Sequence, residues 1–202
     1  MERIKTCIQA LRGRLSGGEK ESLPQLLMRY PHQIAPLTGK LAKGYILRTY
    51  QKGDEESWVE LLNANGQLGT WDRMRVEEQL HGDLVEGNQF FVVAANQIVA
   101  LASVYDRKLE EVACWEIGWV ASHPQHRGKG LGRHITAAAV EAALSLSVRP
   151  VVLRTDDFRI PAIKVYLKLG FVPDCNHASY PKRWQTIFAD LGDGYASFDP
   201  GA

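Results

Sequence analysis

The chain has 202 residues and a formal net charge of +1, long enough to bury a core without staples and too evenly charged to suggest a nucleic-acid or anionic-membrane binder. Its three cysteines, Cys7, Cys114 and Cys175, are scattered and odd in number, with no CxxC or Cys/His spacing; that excludes a disulfide framework and a structural zinc site and makes a reducing, cytoplasmic setting the expectation. No apolar run reaches the ~18 residues of a membrane span, and no apolar stretch follows the first charges as in a secretory leader.

Taken in chain order, residues 1–29 read as a helical lead-in, with Ile4, Ile8, Leu11 and Leu15 at helical spacing before Gly17 and Gly18 break the pattern. Residues 1–43 carry eight Lys/Arg against three Asp/Glu, a basic front end that reads as a solvated helix plus a Pro/Gly connecting arm. The main domain is expected over 44–190. Tyr45–Tyr50 is a first strand, Asp54 caps a helix carrying Trp58, Leu61 and Leu62, and Thr70 caps a second with Trp71, Met74 and Leu80. Gln89–Ala95 and Ile98–Tyr105, separated by Asn96 and Gln97, read as a hairpin. A strand over Val112–Ala121, an Ala-rich helix Leu131–Leu146, a strand Val151–Thr155 and a helix Pro161–Leu169 stopped at Gly170 follow. Phe171 to Val172 and Thr186 to Ala189 complete the expected strands, and 191–202 reads as a loose tail. The sum is a mixed α/β domain with a six- to seven-stranded sheet, an N-terminal helical extension and no internal repeat.

The sharpest feature is Arg127-Gly128-Lys129-Gly130-Leu131-Gly132-Arg133, a glycine loop that follows a strand and opens onto a helix. Glycines let backbone N–H groups close on a ligand, and the helix start adds partial positive charge. With Arg127, Lys129 and Arg133 as further cations, the loop suits a pyrophosphate. It is not a P-loop, since Lys129 is followed by Gly130 rather than a hydroxyl residue for magnesium. Nor does it sit in a first strand–helix turn with the spacing of a dinucleotide fold.

This loop, preceded by Val120 to Pro124, resembles the Q/R-x-x-G-x-G/A signature of the GCN5-related N-acetyltransferase (GNAT) superfamily. Downstream, Arg159-Ile-Pro-Ala162-Ile-Lys-Val-Tyr166-Leu-Lys-Leu-Gly170-Phe171 resembles that family's N-x-x-A-x-x-x-Y-x-x-x-G-F helix, with Arg159 where Asn is usual. The resemblance implies a mostly antiparallel sheet flanked by helices and acetyl-CoA as cosubstrate, with no metal. Loop amides of Gly128, Gly130 and Gly132, with Leu131, would hold the pyrophosphate, and the backbone of Val120, Ala121 and Ser122 the pantetheine arm. Arg159 would reach a CoA phosphate or water.

The implied reaction carries an acetyl group directly to a primary amine of a small molecule or protein. Tyr166 is the expected general acid for the departing thiolate, and Glu116, on the strand leading to the loop, the expected base, with an ordered water as its competitor. Alternation would put Glu116, Gly118 and Val120 on one face. His123, His126 and His134 are weaker candidates, and Cys114 and Cys175 match no nucleophile pattern, which fits a direct route. Trp58, Trp71 and Trp119 are candidates for lining an acceptor pocket or simply for core, and the segment Tyr180–Trp184 for bordering the acceptor site or for a surface hairpin packed by Trp184. A silent acyl-CoA sensor and an interaction protein working through its basic extension are the rival readings. Acceptor identity, acyl length and oligomeric state, a homodimer included, stay open.

Overall fold

The computed structural model describes residues 23–36 and 38–192; the helix expected before Gly17 and most of the expected tail lie outside them. Seven strands form one sheet: β1 Leu26–Tyr30, β2 Ile46–Thr49, β3 Leu84–Ala94, β4 Gln97–Leu109, β5 Val112–Ser122, β6 Val151–Thr155 and β7 Val172–Pro173. Among the described residues five α-helices accompany them: α1 Glu55–Asn65, α2 Arg73–His81, α3 Leu131–Leu146, α4 Ile160–Leu169 and α5 Tyr180–Leu191. None of the described helices is long and apolar enough to cross a membrane. The strand order is β2-β3-β4-β5-β6-β1-β7. Every neighbouring pair is antiparallel except β5 with β6.

Two expected elements are corrected. The helical lead-in does not extend to residue 29, because Leu26–Tyr30 is a strand inserted between β6 and β7, pairing Leu26 with Thr155 and Met28 with Pro173. Its residues are buried on both faces, so they read as an apolar run rather than an alternation. Residues 186–189 are not a strand either. Tyr180, Trp184, Ile187 and Leu191 are the buried positions of α5, and that helical stripe places Trp184 in the core.

The β3–β4 hairpin turns at Ala95 and Asn96, both at positive φ, as a two-residue turn between right-twisted strands requires. Asp72 rather than Thr70 caps α2, accepting from the Arg75 N–H at 2.8 Å. Asp54 stands at the start of α1 without a side-chain cap bond; Arg48 takes both of its carboxylate oxygens. Helix α3 packs on the sheet through Leu131, Ile135, Ala139, Val140 and Ala143, its alanines allowing close approach. The other sheet face carries a second cluster, in which Trp58, Leu61 and Leu62 of α1 and Trp71 and Val76 meet Phe91, Leu101 and Ala121. Trp58 and Trp71 are therefore core residues.

Candidate functional site

Strands β5 and β6 pair at only three positions, Trp115 with Val151 through Ile117 with Leu153, although β5 runs on to Ser122 and β6 to Thr155. Beyond Ile117 lies a cleft of about 390 Å³ bounded by Gly118, Trp119 and Val120 of β5, Arg154 of β6, and Tyr166 of α4. Glu116, Tyr105, Arg159 and Gln79 also line it. The two residues expected to move protons, Glu116 and Tyr166, thus share one cavity although 50 positions separate them in the sequence.

A bulge shapes the β5 wall. Ser103 pairs with Gly118 and Leu101 with Ala121, so two residues, Trp119 and Val120, oppose Ala102. Ala121, not Val120, resumes the face of Gly118, which breaks the alternation expected from sequence. Trp119 carries the distortion at φ 50°, a left-handed conformation that costs a non-glycine residue about 1 kcal/mol or more. Its indole stands edge-on to Trp71 at 4.6 Å, and its N–H donates to Gln79 Oε1 at 3.1 Å. Gly118 is needed for space, since a Cβ there would come within 2.8 Å of the Tyr105 ring.

Tyr166 is 5 % exposed. Burial pushes its hydroxyl up to about 12, partly offset by the Arg159 charge; the group is a neutral O–H donor across the physiological range. Glu116 has a side chain 14 % exposed and is ion-paired through Oε2 to Arg154 Nη1. Arg159 is tied across the cleft mouth. It contacts Asp156 at 2.9 Å and donates to the Gln67 carbonyl at 2.9 Å, linking the start of α4 to the α1–α2 connection.

At the far end of β5, Pro124–His126 form one 3-10 turn. Loop residues Arg127 to Gly130 are exposed. Gly128 (φ 77°) and Gly130 (φ 75°) adopt left-handed backbone, the second as the residue that opens α3. Gly132 lies within α3 at an ordinary φ, and a Cβ there would meet only Ser122 Oγ at 3.8 Å. The protein itself does not require glycine at that position, so the open space beside the helix start fits a ligand that approaches the backbone closely. Leu131 is buried beneath the loop, and the Lys129 ammonium lies 5.5 Å from the Tyr45 ring centre.

Asn65, at the end of α1, clamps this junction. Its Nδ2 donates to the Ser122 carbonyl at 3.2 Å, and its own carbonyl accepts from Arg127 at 3.4 Å. Of the three residues expected along the pantetheine arm, Val120 borders the cleft, while Ala121 and Ser122 pair with Leu101 and Ala100 of β4. Arg133 is exposed in the first turn of α3. Sequence reading missed Gln79 and Arg154, which tertiary contacts bring to the cleft, and Asn65, which they bring to the loop junction.

The histidines stand apart from the cleft. His123 Nδ1 accepts locally from the Gln125 N–H at 3.3 Å, and His126 Nδ1 meets the Tyr45 hydroxyl at 3.0 Å. His134 is not on an open helix face; it lines a second pocket with Pro36, Lys40 and Leu41. Burial and the Arg133 charge hold its pKa below the usual value. Tyr180 anchors the start of β1, its hydroxyl donating to the Gln25 carbonyl at 2.6 Å. No cluster of metal-ligating side chains occurs among the described residues.

These features agree with comparisons to known proteins. The chain is 28 % identical over 156 residues to the Mycothiol acetyltransferase of Thermobispora bispora, covering 71 % of this chain and 52 % of that protein. It is 26 % identical over 140 residues to the Mycothiol acetyltransferase of Pseudarthrobacter chlorophenolicus, covering 65 % and 43 %. The chain therefore spans about half the length of these relatives. Its fold matches the crystal structure of a GCN5-related N-acetyltransferase from Sphaerobacter thermophilus with a TM-score of 0.61 at 17 % identity, over 75 % of this chain and 50 % of that one. The model of the Acetyltransferase (GNAT) family matches residues 54–171, from the start of α1 to the glycine–phenylalanine stop of α4, and the chain belongs to that family.

Proposed function

We propose that the protein transfers an acetyl group from acetyl-CoA directly to a primary amine. The observation that carries this reading is the shared cavity of Glu116, Tyr166 and the bulged β5 backbone, on the strand that leads into the glycine loop. Loop amides from Gly128 to Gly132, with Arg127, Lys129 and Arg133 around them, would hold the pyrophosphate; the cleft would hold the thioester.

In the reaction the amine first loses a proton, to Glu116 or through a water held by it, because an ammonium has no lone pair to donate. The nitrogen then bonds to the thioester carbon, and the carbonyl electrons move to oxygen, where a backbone N–H of the β5 wall can stabilise the charge. On collapse the oxyanion re-forms the C=O, the C–S bond breaks and the sulfur takes the proton that Tyr166 donates, while the nitrogen, cationic since its attack, gives up its second proton through water to restore the Tyr166 hydroxyl. Burial keeps the Tyr166 hydroxyl protonated, so it has a proton to give. Arg154 holds Glu116 Oε2, and the other carboxylate oxygen, Oε1, would take the amine proton.

That same ion pair favours a second reading, in which the cleft binds acyl-CoA as a sensor and Glu116 serves only to orient Arg154. Calorimetric titration with acetyl-CoA and with CoA, followed by a free-thiol assay over a panel of amines that includes compounds of the mycothiol series, separates the two. Binding with thiol release that depends on the amine supports transfer. Binding with no amine-dependent release supports the sensor, and no binding at millimolar ligand overturns both.

A further inference from the structure

Gln79 is the one side chain of α2 whose polar atoms reach the bulged wall. Its Oε1 accepts from the Trp119 indole N–H at 3.1 Å and from the Tyr105 hydroxyl at 3.3 Å. The two donors flank the distortion. Trp119 is the left-handed residue of the bulge, and the Tyr105 ring lies against Gly118 on its N-terminal side, where no Cβ fits. Trp71, seated in the second core cluster, supports the other side of the Trp119 indole.

A left-handed tryptophan persists only where its surroundings over-determine it. Here one amide oxygen fixes the side chains on both sides of the strained peptide. We propose that Gln79 is a positioning residue for acyl transfer, acting through Trp119 and Tyr105 to hold the Gly118–Val120 backbone where the thioester carbonyl must sit. The proposal rests on the acetyl-transfer reading. It makes α2, which carries no reacting group, a determinant of the donor side of the cleft. The functional consequence is alignment: a bulge free to relax into regular pairing would turn its N–H groups back toward β4.

The test compares Gln79→Leu, Gln79→Glu and Trp119→Phe in the full chain, with acetyl-CoA as donor and the best amine of the panel. Gln79→Leu removes the shared acceptor and should lower kcat about tenfold and leave the amine KM near its original value. Gln79→Glu, which keeps an oxygen acceptor, should recover most of that loss, and Trp119→Phe, which removes only the indole N–H, should reproduce part of it. Unchanged kcat in Gln79→Leu overturns the proposal, as does a rise in the amine KM alone, which would make Gln79 an acceptor contact. If Gln79→Leu does not fold, Trp119→Phe decides by the same criteria. Should the unmodified protein transfer no acetyl group, the acetyl-transfer reading fails, and the near-ultraviolet circular dichroism of the tryptophans still tests the lock: an unchanged signal in Gln79→Leu overturns it.

Discussion

Gly132→Ala should move stability and ligand affinity in opposite directions. Gly132 is the second residue of α3, and its φ lies outside the left-handed region, unlike those of Gly128 and Gly130. The added methyl would meet only Ser122 Oγ, at an ordinary contact distance of 3.8 Å. A helical Gly→Ala change without strain stabilises by about 0.5–1 kcal/mol, which for a chain of this size raises Tm by about 1–4 °C. If the space beside Gly132 holds a pyrophosphate, the methyl takes up room at the cradle. A crowding cost of about 1–3 kcal/mol then weakens acetyl-CoA about tenfold to a hundredfold. Differential scanning fluorimetry without ligand gives the first number, and calorimetric titration gives the second. A higher Tm with unchanged affinity would refute the assignment of the cradle, and a lower Tm would refute the claim that the protein does not itself need this glycine.

Other perturbations address the chemistry and the scaffold. Tyr166→Phe should lower kcat about a hundredfold while calorimetry finds acetyl-CoA affinity changed by less than about twofold; equal turnover would remove Tyr166 as the acid. Glu116→Gln should lower kcat by a similar factor with donor affinity intact, read in the same two assays, and an unchanged kcat would hand proton removal to water. For stability, Glu55 accepts from the Tyr50 hydroxyl and the Gly53 N–H, which holds its carboxyl below the usual range against the effect of burial. A lowered folded pKa stabilises above the unfolded value and loses that contribution as pH falls through the folded one. Thermal melts from about pH 5 to pH 3 should therefore show a steeper drop in Tm for the unmodified chain than for Glu55→Gln; parallel slopes would contradict the linkage.

Legibility from sequence follows how local each feature is. The spans Leu131–Leu146 and Val151–Thr155 are read correctly to the residue, because periodicity, glycines and a proline bound them on the chain itself. The glycine loop is local in the same way, and with the Tyr166 helix it carries the family. Strand β1 was not legible, since what makes Leu26–Tyr30 a strand is a slot between β6 and β7, far along the chain. In α5 the β-branched and aromatic residues of Thr186–Phe188 outweighed a helical stripe that was present from Tyr180 to Leu191. The bulge left no local trace, because it is a mismatch of count between two strands rather than a residue pattern. Glu116 could be picked out from its strand, whereas Arg154, which pairs with it, could not: Glu116 stands opposite Val152 in the register, and the ion pair is diagonal.

The short contact between β5 and β6 has a mechanical side. Three paired positions join one panel, β2 to β5, to another made of β6, β1 and β7, so the sheet is two plates on a narrow seam, and part of the backbone bordering the opening lies outside the ladder. If the amide-bearing arm of a donor lies in that opening, it would act as a splint, bonding to both plates and stiffening them as an added strand would. Ligand and fold are then coupled in both directions, and a donor at a hundred times its dissociation constant raises stability by about 2.7 kcal/mol. Changes far out on either plate that alter how they flex about the seam, such as in the β1–β7 pairing, would register first in how tightly the donor is held.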